Sequence, residues 1–183
     1  LGDVYKRQAY GKVFISMVMT TSRLRFRPWN ITDLQAFHAI CSLPEVMQFI
    51  DGPWNTERVA EFIRHEQQQF EQLGHCRWAL ELKSDSQLIG FCGLRPLKHD
   101  PHQLEIGWRL HSDFWRQGLG FEAASYIIRH ALETLEPRRL FAKIHVKNEA
   151  SLALAKKIGM RITERIPVAE FDDYVLDFPL GTE

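Results

Sequence analysis

A mixed α/β fold, with a central twisted sheet of about six to seven strands flanked by helices on both faces, is what this sequence predicts. Three observations carry that prediction. Strand-like apolar runs recur from Arg23 to Phe178 without a linker, repeat or low-complexity segment between them. In the first half, runs at 76–82, 88–94 and 104–110 follow one another directly, as antiparallel strands do. After residue 118 the order becomes helix, strand, helix and two closing strands, which makes the sheet mixed.

Each element has a local cause. Arg23-Leu24-Arg25-Phe26-Arg27 alternates charged and apolar side chains and stops at Pro28, as an outer strand with one buried face does. Thr32 or Asp33 can cap a short helix carrying Leu34, Phe37, His38 and Cys41, which Pro44 ends or restarts. Asn55 or Thr56 opens a longer helix whose Val59, Phe62, Ile63, Phe70 and Leu73 share one face, and Gly74 closes it. Lys83-Ser84-Asp85-Ser86 makes a turn between the first two central strands. Phe121, Ala124, Ile127, Ile128, Ala131, Leu132 and Leu135 mark the buried face of a helix that ends before Pro137. Leu140 to Val146 reads as the next strand, Asn148 starts a helix that stops at Gly159, and strands near 160–168 and 171–178 complete the order.

Composition narrows the function classes. At 183 residues, with 45% apolar and 25% charged side chains, the chain fits one domain around a single core. Acidic and basic residues balance at 23 each and no run of five like charges occurs, so the electrostatic footprint of a nucleic-acid or anionic-membrane binder is missing. The expected partner is a small molecule or a short peptide. Cys41, Cys76 and Cys92 are odd in number and form no Cys-x-x-Cys pair, which points away from a disulfide framework and toward a reducing, cytoplasmic compartment. Residues 1–16 are set aside as a non-native or disordered leader. Leu1 to Gln8 resembles a translated library adapter, the first methionines are Met17 and Met19, and Val13 to Val18 is too short for a secretory segment. One domain is expected over 17–183.

The densest chemical signal is Arg116-Gln117-Gly118-Leu119-Gly120-Phe121-Glu122-Ala123, between a strand-like run and a long helix pattern. Glycines at such a junction let the backbone approach a ligand, and the free N–H groups of the first helical turn then face a bound anion. The alternative is that Gly118 and Gly120 only permit a tight turn before a core helix.

The motif has company: Thr21-Ser22-Arg23-Leu24-Arg25-Phe26-Arg27-Pro28 at the start, Leu88-Ile89-Gly90-Phe91-Cys92-Gly93-Leu94 in the middle, Glu105-Ile106-Gly107-Trp108-Arg109-Leu110 before the loop, and Asn148-Glu149-Ala150-Ser151 with Lys157-Ile158-Gly159-Met160 after it. On these pieces, in this order, the chain resembles the GNAT superfamily of N-acetyltransferases. Within it, it is most similar to the branch of ribosomal-protein alanine acetyltransferases of the RimJ/RimL type, over roughly Thr21 to Leu180. The resemblance implies the GNAT fold and acetyl-CoA as acetyl-donor cosubstrate. It places the diphosphate on the amides of Gln117, Gly118, Leu119, Gly120 and Phe121, with a charge-assisted contact from Arg116. Many relatives carry Gln or Arg where this chain has Trp115, so no side-chain help is implied there. The pantetheine arm would pair with Trp108, Arg109 and Leu110, and an amide near Leu110 would donate to the oxyanion.

Asn148 would touch the pantetheine amides. Read as a residue alone it is a helix N-cap, and the two roles are compatible. Many relatives place a Tyr general acid where this chain has Ala155, so the resemblance shifts that role to Ser151, which is otherwise a small helix residue. Glu105 is the candidate base, because an acidic residue in an otherwise apolar strand beside the cleft would be partly desolvated. The alternatives are a solvent-facing carboxylate or one with an Arg partner. An α-amine titrates at about 7.7–8.0 and a lysine at about 10.4, so an α-amine needs little help near neutral pH and suits a water-mediated base.

Other features are read as structural. His99 and His102 flank Pro101 in a loop with no third ligand, so no metal is expected. Phe49, Trp54, Phe62 and Phe70 are first of all core, although residues 49–54 can line an acceptor pocket, and Asp172 and Asp173 either face the amine or sit in a solvated turn. The leading function is acetyl transfer to a protein N-terminal α-amine or a small-molecule amine, by a monomer or homodimer. A catalytically silent acyl-CoA-binding module is the alternative. A nucleotide-phosphate enzyme is disfavoured, because no Gly-Lys-Ser/Thr follows the loop and no early Gly-x-Gly-x-x-Gly follows the first strand.

Overall fold

The computed structural model describes residues 19–168 and 171–181; the expected leader, 1–16, lies outside them. Eight strands form one sheet: β1 (Met19–Thr20), β2 (Leu24–Arg27), β3 (Arg77–Leu82), β4 (Leu88–Leu97), β5 (Asp100–Leu110), β6 (Arg139–His145), β7 (Arg161–Val168) and β8 (Phe171–Asp177). Their order is β1-β2-β3-β4-β5-β6-β8-β7, with β5 and β6 parallel and every other neighbouring pair antiparallel. The strand beyond the expected number is β1, two residues that pair with Arg25 and Phe26.

Helices cover both faces, as the strand and helix patterns predict. On one face, α4 (Leu119–His130) and α5 (Glu149–Lys157) set Ala123, Ile127, Leu152 and Ala155 against Leu104, Ile106 and Ala142 of the sheet. On the other, α1 (Leu34–Cys41), the short α2 (Pro44–Met47) and α3 (Thr56–Leu73) pack Phe37, Val59, Phe62 and Ile63 on Ala79 and Phe91. Phe62 packs in tilted contacts on Phe37 and Phe91 at centroid separations of 5.2 and 5.4 Å, which accounts for much of the aromatic content of that layer. α3 begins where the Asn55 side chain accepts from Arg58 N at 2.9 Å and ends at Gly74, whose φ of 75° favours glycine.

Three local expectations are corrected. Asp33 stands at the N-cap position of α1 but makes no side-chain cap bond there; it closes a capping box one turn earlier with Asn30, which opens a 3-10 turn over Ile31–Asp33, accepts from Thr32 N and donates its own amide to the Asp33 carboxylate. The β4–β5 hairpin is longer than its apolar pattern, and Pro101 and His102 belong to β5 instead of a loop. Pro96 is tolerated inside β4 because β3 pairs no further than Gly93, leaving no ladder bond there for a proline to break. The helix after the loop is α-helical only to His130 and continues to Leu135 as a wider π turn. Among the described residues no helix is long and apolar enough to cross a membrane.

Candidate active site

Strands β5 and β6 pair only at Gln103–Arg139, Leu104–Leu140 and Glu105–Phe141, and then part while both continue. β5 keeps its other neighbour to the end: Gly90 lies opposite Leu110, and the His111 amide donates to Ile89 O at 2.9 Å. Antiparallel alternation therefore turns the N–H and C=O groups of Trp108 and Leu110 away from β4, into the gap that β6 leaves. Gly90 makes this close passage possible, because its φ is 146° and a Cβ there would lie 1.9 Å from Arg109 O. The Leu110 carbonyl accepts from Trp115 Nε1 at 2.8 Å, so the group left facing the gap at that residue is its amide. An open strand edge inside a sheet can receive an extended, amide-bearing chain.

The glycine loop follows at once. Arg116 at φ 59° and Gly118 at φ 77° both occupy the left-handed region, which is strained for arginine and easy for glycine. Gly118 caps α4 with no side-chain hydrogen bond, and the first backbone bond runs from Glu122 N to Gly118 O at 3.0 Å. The amides of Leu119, Gly120 and Phe121 thus precede the ladder, no described residue accepts from them, and the helix dipole adds a partial positive charge. These groups fit a diphosphate. Gly120 contributes differently from the sequence expectation: a Cβ there would sit 3.2 Å from Leu154 Cδ2, so its small size also serves the approach of α5.

The loop is held from behind. Arg23 Nη1 donates to Gln117 O at 2.9 Å, and the Glu122 carboxylate accepts from Thr21 Oγ1 at 2.5 Å, Ser22 Oγ at 2.9 Å, Arg23 N at 2.9 Å and Arg23 Nε at 2.7 Å. Burial pushes the Glu122 carboxyl up, but the Thr21, Arg23 and Ser22 donors outweigh it and hold it down at about 2. A folded-state pKa below the unfolded one makes this clamp stabilising above about pH 4.5, and its contribution disappears as pH falls through 2. In thermal melts from about pH 5 to pH 2, a Glu122→Gln variant is expected to lose less stability on acidification than the parent. Parallel losses in the two proteins would contradict the clamp.

On the far side of the gap, Asn148 caps α5 by accepting from Ser151 N at 3.1 Å, as its capping role requires. Trp108 Nε1 donates to Ser151 Oγ at 3.3 Å, which brings that hydroxyl beside the open edge of β5. Ala155, one turn on, is buried and carries no hydroxyl.

The odd-numbered residues of β5 face the α1–α3 layer. Glu105 is among them, and Arg95 Nη2 donates to its Oε2 at 2.8 Å across the hairpin. The Glu105 side chain is 17% exposed and has the arginine partner that the sequence left open as an alternative, while Oε1 has no hydrogen-bond partner among the described residues. Next to it opens a cleft of about 410 Å³ walled by Trp54, Phe62, Arg58, Arg77, Arg95 and Arg109. Phe49 packs on His145 of β6 at 5.1 Å, so the segment after α2 reaches across the parted strands. Asp172 is held by Arg165 at 2.7 Å in the β7–β8 ladder rather than in a turn. Among the described residues, no cluster of three or more His, Cys, Asp or Glu is placed to hold a metal ion.

Four features escaped the sequence reading: Gly90, the Trp115 indole, the Arg23–Glu122 clamp and the Arg109 side chain. Only the last left a local signal. Strand alternation sends Arg109 to the face opposite Trp108 and Leu110, which makes it a buried arginine beside the aromatic layer.

A family model described as an acetyltransferase (GNAT) domain matches residues 23–161. The uncharacterized N-acetyltransferase YoaA of Bacillus subtilis is 26% identical over 146 residues, covering 79% of this chain and 82% of the relative. A GNAT-family acetyltransferase from Bacillus anthracis has a similar structure, with a TM-score of 0.78 at 22% identity over 88% of this chain and 98% of that one. RimL, a ribosomal L7/L12 α-N-protein acetyltransferase solved in complex with coenzyme A, gives a TM-score of 0.76 at 17% identity over 88% and 97% of the two chains. The structural likenesses show the fold, the parted β5 and β6 and the glycine loop lie within the matched span, and the chain belongs to the GNAT acetyltransferase family.

Proposed function

We propose that the protein transfers an acetyl group from acetyl-CoA directly to a primary amine, a peptide N-terminal α-amine or a small-molecule amine, without an acyl-enzyme. The observation that carries the proposal is the open strand edge at Trp108 and Leu110, followed directly in the chain by the uncapped first turn of α4. The edge suits the pantetheine amides and the turn suits the diphosphate. Arg116 is exposed on the same loop and can add a charge-assisted contact. Asn148 and Ser151 line the other side of the gap.

In the transfer, the amine nitrogen forms a bond to the thioester carbon and the carbon–sulfur bond breaks. The Leu110 amide receives the developing oxyanion. Glu105 accepts the amine proton through water, using the oxygen that Arg95 leaves open. Ser151 donates to the departing sulfur, its hydroxyl held by Trp108. The pairing of Ser151 with an Ala at 155 supports the RimJ/RimL branch and hence an α-amine acceptor.

Thiol release with a panel of N-terminal peptides, polyamines and aminoglycosides tests the reading, with turnover on at least one class expected. Ser151→Ala is expected to lower kcat about tenfold to a hundredfold with little change in KM for acetyl-CoA. Coenzyme A binding without turnover on any amine would favour the silent module instead.

A further inference from the structure

The acceptor cleft holds an imbalance of charge. Of its four arginines, Arg58 pairs with Asp51 at 2.7 Å, Arg77 with Glu66 at 2.5 Å and Arg95 with Glu105 at 2.8 Å. Arg109 pairs with no carboxylate among the described residues, although it is only 7% exposed. Its Nη1 donates to Cys41 Sγ at 3.1 Å, a weak acceptor, and its buried Nε has no acceptor among the described residues. The guanidinium lies 4.3 Å from the centroid of the Trp54 ring, and Trp54 Nε1 is a second buried donor with no partner among the described residues. Burial pushes the Arg109 guanidinium down, the Cys41 sulfur pulls against that, and Arg77 and Arg58 add to the depression. Leaving such donors unmatched is costly, and protein interiors rarely do so. Glu61 lies at the rim of the cleft, exposed and in no ion pair among the described residues.

We infer that Arg109, with Trp54, forms a subsite for a carboxylate carried by the acceptor, so that the preferred substrate bears an anionic group close to its amine. This rests on the transferase reading and narrows it. A planar guanidinium presents several donors in the geometry a carboxylate accepts, and one unneutralised arginine matches one negative charge. Arg109 lies between Trp108 and Leu110, whose backbone groups face the gap, while its side chain faces the cleft. A carboxylate held there is therefore next to the reacting centre. The group can belong to an acidic residue near a peptide N-terminus or to a free amino acid, and both present the same chemistry.

The test compares matched acceptors with the intact protein: peptides with Asp or Asn at the second position, and free amino acids against their carboxamides. At least one carboxylate member is expected to exceed its neutral partner tenfold or more in kcat/KM, and which pair does so identifies the source of the carboxylate. Arg109→Gln is expected to reduce that ratio to about threefold or less, and Arg109→Lys to restore part of it. If the Gln variant does not accumulate, the parent ratio and the Lys variant decide. Equal use of neutral and anionic acceptors by the parent, or a ratio retained in Arg109→Gln, overturns the inference and leaves the transferase reading intact. No turnover with any acceptor overturns the reading beneath it.

Discussion

Replacing Gly118 with Glu is expected to weaken acetyl-CoA binding at least a thousandfold, the largest single effect in the molecule. Two costs combine. Gly118 sits at φ 77°, where an L side chain is strained by about 1–3 kcal/mol. The new carboxylate would also stand at the cap of α4, before the amides that face the diphosphate, and like charges about 4 Å apart near a protein surface repel by about 4 kcal/mol. Gly118→Ala carries the strain without the charge and is expected to fall between the parent and the Glu variant. Calorimetric titration with coenzyme A separates the three. Unchanged affinity in Gly118→Glu would remove the loop from the cosubstrate site.

Glu105→Gln is the second large change. For an α-amine acceptor near neutral pH, where about a tenth of the amine is already neutral, kcat/KM is expected to fall about tenfold to a hundredfold. The loss should shrink above about pH 9, where the amine is already neutral and needs no base. Glutamine keeps an oxygen that can accept from Arg95, so the hairpin pair survives and the measurement reports proton transfer more than folding. A variant as active as the parent across the pH range would move the base elsewhere on the acceptor face.

What was legible in the sequence was what short-range patterns encode. The strand alternation at Arg23–Arg27, the closing glycine at Gly74 and the junction at Gly118 are each decided within a few residues, and each stands where expected. So does the cap at Asn148, three residues before the amide it accepts from. The rest depends on chain segments that meet only in the folded state. Arg23 and Glu122 are 99 positions apart, and no local rule ties one to the other. The parting of β5 from β6 is a property of pairing partners, invisible in the apolar run of either strand. Trp115 departs from the commoner residue at its position, yet its indole finds the Leu110 carbonyl five residues back and leaves the amide of that residue to face the gap. Glu105 was legible as a strand carboxylate beside the site, but its guanidinium partner comes from a hairpin longer than hydrophobic periodicity suggests. For Arg109 the sequence pointed to the backbone, whereas the cleft that gives its side chain meaning is assembled from the 50–54 segment, α3 and three strands.

A crystal structure of the protein with coenzyme A would locate the cosubstrate outright. Diphosphate oxygens are expected within about 2.7–3.2 Å of the amides at Leu119, Gly120 and Phe121, and pantetheine amides bonded to the edge of β5 at Trp108 and Leu110. Coenzyme A bound elsewhere, with the first turn of α4 closed by side chains and β6 zipped onto β5, would contradict that placement.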